Sequence, residues 1–224
     1  MRIAQVATVS APVREHTNGS VESLVWLLTR ELRRRGHEVS SVAFRGFIAV
    51  DFAPSRSLSD VMQELKTSGA SLKLVPADHF HATLKFLGDT EEGLADEIVG
   101  VMRKACEGHP PFRAMLQGTG AFPSLSRMNV IWVGIEGAHP LADIAARLDV
   151  SLAPLGFRPE GRPWSPHMTL ARVKGGGNLD RVRQILQAHA RDSFGEALVD
   201  RVRLKRSVLT PQGPVYTTVA EVPL

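Results

Sequence analysis

Apolar residues recur along the chain with two different periods, and the way these alternate predicts a mixture of helices and strands. Residues 1–10 (MRIAQVATVS) read as a short strand. Residues 20–35 read as an amphipathic helix that ends at Gly36, with Arg33, Arg34 and Arg35 in its last turn. Residues 37–44 (HEVSSVAF) are β-prone and run into a second β-prone stretch, 46–52 (GFIAVDF), with only Arg45 between them. Beyond that point the pattern predicts a helix near 57–68, strands at 72–75 and 81–87, and a helix from 91 to about 107. Strands at 112–116 and 130–135, a helix over 140–155 and a strand at 167–173 follow. After the loop Gly175-Gly176-Gly177 come a helix over 179–190 and strands over 199–209 and 215–222, the last two joined by the turn 210–214 (TPQGP). Helices and strands in this repeating order describe an α+β chain of two similar lobes.

A chain of 224 residues, 43% hydrophobic, fills one good-sized core with room for an appendage. Its formal charge of +4 is small, so attraction for a polyanion must come from a local patch. Arg14, Glu15, His16 and Asn18 interrupt the N-terminal apolar residues well before signal or membrane length, so the expectation is a cytoplasmic protein without membrane contact. The single cysteine, Cys106, has no partner for an internal disulfide and falls on the apolar face of residues 98–106, where a lone thiol reads as core filler.

Candidate chemistry enters with a tetrapeptide that occurs twice, His81-Ala82-Thr83-Leu84 and His167-Met168-Thr169-Leu170, each time inside a strand pattern. Side chains two apart in a strand share a face, so each copy presents one imidazole and one hydroxyl together and turns Ala82 or Met168 to the core. If the lobes pair about a pseudo-twofold axis, two imidazoles and two hydroxyls meet at a central cleft. That set suits phosphoester hydrolysis, because a neutral histidine takes a proton from water, a protonated one gives a proton to the leaving oxygen, and the hydroxyls hold phosphate oxygens. One His-x-Thr alone carries little meaning; the repeat is the signal. Two histidines without Cys, Asp or Glu at ligand spacing make a poor tetrahedral metal set, so the scheme calls for no metal and no other cofactor. His79 shares the parity of His81 but reads as a surface residue, and His16, His37, His109, His139 and His189 have no partner identifiable from sequence.

Several further stretches, in order, make the chain resemble a known family. They are Arg45-Gly46-Phe47-Ile48-Ala49-Val50-Asp51, the run from His79 to Gly88, Gly120-Ala121-Phe122-Pro123, Val130-Ile131-Trp132-Val133-Gly134, His167 to Arg172, and Leu209 to Tyr216. Over residues 45–224 they resemble the RNA 2′,3′-cyclic phosphodiesterases, also called 2′-5′ RNA ligases, of the two-histidine phosphoesterase superfamily. The resemblance implies two pseudo-symmetric lobes with antiparallel sheets around a central cleft. It implies hydrolysis of an RNA 2′,3′-cyclic phosphate to a 2′-phosphate, with weak reverse 2′-5′ joining of tRNA halves. It also implies His81 and His167 as the catalytic pair, Thr83 and Thr169 as phosphate-holding hydroxyls, and Arg172 and Phe122 as substrate contacts. His81 is favoured as the acid to the departing 3′ oxygen and His167 as the base. Where related sequences carry Arg just before the Val-Ile-Trp strand, this chain has Asn129, with Arg127 nearby.

Residues 1–44 precede that resemblance and form a separate extension. The segments Met1 to Val6, Asn18 to Glu22 and Leu32 to Val39 are similar to the opening unit of a two-domain glycosyltransferase. The rest of such an enzyme is missing, so glycosyl transfer is not expected. Two readings compete with RNA end hydrolysis: a phosphodiesterase acting on another cyclic nucleotide, and an RNA-binding module without catalysis. The sequence does not speak to oligomeric state.

Overall fold

The computed structural model describes Arg35 and residues 43–210 and 213–224. The expected strand over 1–10, the helix over 20–35 and most of the β-prone stretch 37–44 lie outside the described residues.

The described elements are β1 (Ala43–Asp51), α1 (Arg56–Thr67), β2 (Leu72–Leu74), β3 (His81–Glu91), α2 (Ala95–Cys106), β4 (Phe112–Ser124), β5 (Arg127–Glu136), α3 (His139–Ser151), β6 (His167–Val173), α4 (Leu179–Ala188), β7 (Ser193–Val199), β8 (Arg201–Thr210) and β9 (Gly213–Pro223). Local chemistry explains the helices. The Ser55 side chain caps α1 by accepting from the Leu58 N–H, and Leu58, Val61 and Leu65 form its buried stripe. In α2, Asp96 and Glu97 in the first turn and Arg103 and Lys104 in the last complement the helix dipole, while Cys106 is buried as expected of core filler.

Several boundaries differ from the expectation, among them the longer β3 and β4. The helix predicted over 140–155 ends at Ser151, since Pro154 sits in a separate turn and Gly156 adopts φ +93. The strand predicted over 199–209 is β8, which starts after Asp200, and β7 (Ser193–Val199) before it was not expected. β7 escapes a period-2 reading because it is an edge strand of mixed burial containing Gly195.

The strands form two antiparallel sheets, one in the order β3-β1-β8-β9 and one in the order β2-β6-β5-β4-β7. Their registers reveal the duplication. In the first sheet Asp51 faces His81, Val50 faces Ala82, Ala49 faces Thr83, Ile48 faces Lys85 and Phe47 faces Phe86. In the second, Gly134 faces His167, Val133 faces Met168, Trp132 faces Thr169, Ile131 faces Ala171 and Val130 faces Arg172. Each ladder skips the leucine after the threonine, so Leu84 and Leu170 are equivalent bulges. The bulge shifts the strand parity by one residue. After it, Lys85 and Ala171 point inward, and Phe86 and Arg172 rejoin the face of the histidines.

Helices cover the opposite face of each sheet, and two of them, α1 and α3, are exchanged between lobes. α1, which follows β1 of the first sheet, packs against β2 and β7 of the second. α3, which follows β5 of the second sheet, packs against β3 of the first and against α2. The chain therefore crosses between lobes at both helices, and one continuous core of buried apolar residues runs through the two lobes.

Candidate active site

The tetrapeptides occupy the starts of β3 and β6 in the alternation their sequence predicts: Ala82, Leu84, Met168 and Leu170 are buried, and His81, Thr83, His167 and Thr169 are half-buried on the other face. β3 and β6 lie beside each other although they belong to different sheets. The indole N–H of Trp164, on the loop leading into β6, donates to the Thr83 carbonyl at 2.7 Å and ties the two motifs together.

Both imidazoles are oriented in the same way. His81 Nδ1 donates to the His79 carbonyl at 2.7 Å, and His167 Nδ1 donates to the Ser165 carbonyl at 2.8 Å. A carbonyl only accepts, so each Nδ1 carries the proton and each Nε2 is the nitrogen free to exchange one. Among the described residues neither Nε2 has a hydrogen-bond partner. Burial lowers the pKa of both rings below 6.5, against the raising effect of the main-chain carbonyl each one meets. For His81, Lys205 lowers it further, Asp51 raises it and His79 lowers it.

The walls around the two rings differ. His81 packs on Phe47 with centroids 5.0 Å apart and edge-to-face on Tyr216 at 5.4 Å. Behind it Asp51 is ion-paired to Lys205 at 2.6 Å and to Arg203 at 3.3 Å. His167 instead meets the Phe122 ring edge-to-face at 4.9 Å, and Phe122 lies 5.4 Å from Trp132. The Trp132 indole lies over Gly120, where any Cβ would come within 2.3 Å of it, which accounts for glycine at that position. Phe122 is thus a wall of the His167 site as well as a candidate substrate contact.

Arg172 is exposed on the face that carries His167 and Thr169, close enough to Tyr216 to offset part of the rise that burial gives the phenol. The sequence reading passed over two residues on the faces that carry the histidines or beside them. Phe86 is 62% exposed at the register position equivalent to Arg172, a place set by the bulge and by no local sequence pattern. His79 is no surface residue: its side chain is only 20% exposed, and its ring packs on Tyr216 at 4.8 Å. Two other histidines have tertiary partners, His109 with Asp143 at 2.7 Å and His189 with Glu64 at 3.0 Å and Asp192 at 2.8 Å. Arg127 and Asn129 are both exposed. Among the described residues, no group of three or more His, Cys, Asp or Glu side chains is placed to hold a metal ion.

Two free imidazole nitrogens and two hydroxyls, on equivalent strands of duplicated lobes, define a site of the two-histidine phosphoesterase class. Residues 54–208 match the family model described as the 2′-5′ RNA ligase superfamily, and the chain belongs to that superfamily. A Methanothermobacter thermautotrophicus protein named RNA 2′,3′-cyclic phosphodiesterase is 38% identical over 175 residues, covering 77% of this chain and 95% of that protein. An Aeropyrum pernix protein of the same name is 39% identical over 166 residues, covering 74% and 93%. A crystal structure of a Thermus thermophilus protein, 28% identical, covers 80% of this chain and 97% of its own with a TM-score of 0.64. Escherichia coli LigT complexed with 3′-AMP shares the fold, with a TM-score of 0.61 at 21% identity over 82% of this chain and 99% of that one.

Proposed function

We propose that this protein hydrolyses 2′,3′-cyclic phosphate ends of RNA to 2′-phosphates. The observation that carries the reading is the pair of equivalently tethered imidazoles, His81 and His167, whose Nε2 atoms are free on equivalent strands. His167 Nε2 removes a proton from water as the water oxygen bonds to phosphorus. The bond from phosphorus to the 3′ oxygen breaks, and that oxygen takes the proton from His81 Nε2. The products are a 2′-phosphomonoester and a 3′-hydroxyl, and solvent resets the two imidazoles. Thr83 and Thr169 donate to the non-bridging oxygens, Arg172 balances their negative charge, and Phe122 and the exposed Phe86 ring offer surfaces for a base. With the 5′-hydroxyl end of a second RNA in place of water, its proton going to His167 and the 3′ oxygen again leaving with the proton of His81, the same groups join ends through a 2′-5′ linkage, and tRNA halves are the candidate substrate for that step.

Residues 45–224 act as the catalytic domain in this reading, with residues 1–44 as a separate N-terminal extension; the family match within 54–208 supports the division. No helix among the described residues is long and apolar enough to cross a membrane.

The test is incubation of the purified protein with a short RNA ending in a 2′,3′-cyclic phosphate, in EDTA, beside His81→Ala and His167→Ala. A 2′-phosphate product from the wild type alone is expected. No product, or full activity in either variant, would overturn the assignment and leave an RNA-binding module as the better account.

A further inference from the structure

Among the described residues β2 has no counterpart in the first lobe: β3 is an edge strand there, whereas β6, its equivalent, carries β2 on its outer side. This added strand is only Leu72–Leu74, and its central residue, Lys73, faces Arg172 directly across the antiparallel ladder. Directly opposed residues project to the same side of a sheet, so Lys73 lies on the face that holds His167, Thr169 and Arg172. Both cations are exposed, and among the described residues neither has a carboxylate within ion-pair distance. The Lys73 ammonium reaches towards the other lobe, where a Cβ built on Gly213 at the start of β9 would come 3.7 Å from Nζ. On that same strand is Tyr216, whose ring packs on His81 and lies within electrostatic reach of Arg172. Like charges directly opposed across two strands destabilise a sheet unless an anion lies between them. Here the fold places such a pair at the rim where the two lobes meet, beside the candidate site.

We propose that Lys73 is a binding residue for the phosphodiester that precedes the cyclic-phosphate end, so that the site selects a polynucleotide over a mononucleotide. The inference rests on the reading of the site as a cyclic phosphodiesterase. In that reading Arg172 is engaged by the reacting phosphate, and Lys73 is the adjacent uncommitted cation on the same face. A phosphodiester monoanion matches it in sign, and a lysine, as a flexible point charge, follows an RNA backbone without reading its sequence.

The experiment compares wild type with Lys73→Gln on two substrates, a nucleoside 2′,3′-cyclic phosphate and an oligoribonucleotide with the same terminal nucleotide. The substitution is expected to lower kcat/KM for the oligonucleotide by about tenfold, through KM, and to leave the mononucleotide unchanged. The slope of log kcat/KM for the oligonucleotide against log salt should flatten by about 0.7, the loss of one phosphate contact on a single strand. The melting temperature should hold or rise, because a like-charge contact is removed. Equal losses on both substrates, or no loss on either, would overturn the proposal. Should the wild type hydrolyse neither substrate, the function reading fails and the subsite is still tested by binding. An oligonucleotide with a 2′-phosphate end must then bind Lys73→Gln more weakly than wild type, while the 2′-phosphate mononucleotide binds both alike. Unchanged oligonucleotide affinity would sink the subsite.

Discussion

The two halves of the cleft share a backbone and differ in what lines it. Around His81 the sheet face is charged: Asp51 stands opposite the histidine, bonded to Lys205 and Arg203, and Arg203 continues to Glu221 at 2.8 Å and from there to Arg201 at 2.9 Å. Around His167 the same register positions hold Gly134 in place of Asp51 and Trp132 in place of Ala49, and the nearest ring is Phe122. Burial lowers both imidazoles, but only His81 also feels fixed charges of both signs. A duplicated backbone thus supplies the orienting hydrogen bond twice, and the neighbouring strands make the two histidines unequal. Unequal partners suit acid–base work, in which one must be protonated while the other is not.

The strongest way to break this comparison is to remove each histidine. His81→Ala and His167→Ala should each lower kcat by about 10² to 10⁴, and the double variant should fall well short of the product of the two. An aryl phosphodiester whose phenolate leaves without a proton sharpens the test. It should restore much of the rate of His81→Ala and little of that of His167→Ala, whereas equal rescue would void the division of roles. Next in size are the hydroxyls. Thr83→Val and Thr169→Val should each lower kcat/KM by about ten- to a hundredfold, the worth of one hydrogen bond to a charged oxygen. Wild-type kinetics in either variant would remove that threonine from the site.

Lys85 separates the lobes by stability. Its side chain is fully buried and donates at 2.6 Å to Asp149 and at 2.6 Å to the Arg158 carbonyl, whereas its register equivalent is Ala171. Burial opposes the charged Asp149 carboxylate, but the Lys85 ammonium and the Glu160 N–H outweigh it and hold its pKa below the ordinary value. Lys85→Met should cost about 2 to 3 kcal/mol in denaturant unfolding, less than a fully buried pair because Asp149 keeps contact with water. Ala171→Met, which inserts volume at a packed position, probes the other lobe without any charge change, and its loss should not depend on pH.

Two pH effects are smaller. The profile of kcat/KM should be a bell centred on the acid side of 6.5, because both free-enzyme imidazoles are lowered by burial. Asp51→Asn removes a carboxylate that favours the His81 imidazolium, so it should draw the alkaline limb, set by the acid, to lower pH. Movement of the acid limb instead would exchange the two roles. Smallest is His189, which bridges α1 to the turn after α4. Burial opposes its charged form, but Asp192 and Glu64 outweigh burial and raise its pKa above 6.5. Its contribution to stability is therefore full below pH 6.5 and fades as pH rises through the raised value. His189→Ala should lower Tm by about 2 °C at pH 6 and by less at pH 8.5; an equal shift at both would deny the ion pairs any role.

Much of the site was legible because its logic is local. Alternation in His81-Ala82-Thr83-Leu84 and His167-Met168-Thr169-Leu170 decides which side chains share a face, and the structure keeps that alternation up to the leucine. The bulge at that leucine was not legible, since it depends on how β1 and β5 pair alongside, and so the exposed Phe86 was passed over. His79 was misjudged, and the partners of His109 and His189 went unidentified, for a related reason: Tyr216, Asp143 and Glu64 are distant in sequence, and no local pattern points to them.

By itself the sequence determined the helical and extended periods, the inward turn of Ala82 and Met168, and the repeat that marks two lobes. Those properties depend on residues within a turn or a strand of one another, where side-chain geometry leaves few choices. Tertiary structure alone decided that α1 and α3 exchange lobes, that β3 and β6 from different sheets lie side by side, that His81 has fixed charges beside its aromatic neighbours while His167 has an aromatic neighbour without them, and that Lys73 stands beside Arg172. Each of these is a contact between segments far apart in the chain, set by the mutual packing of two sheets and four helices, and no period along the sequence records it.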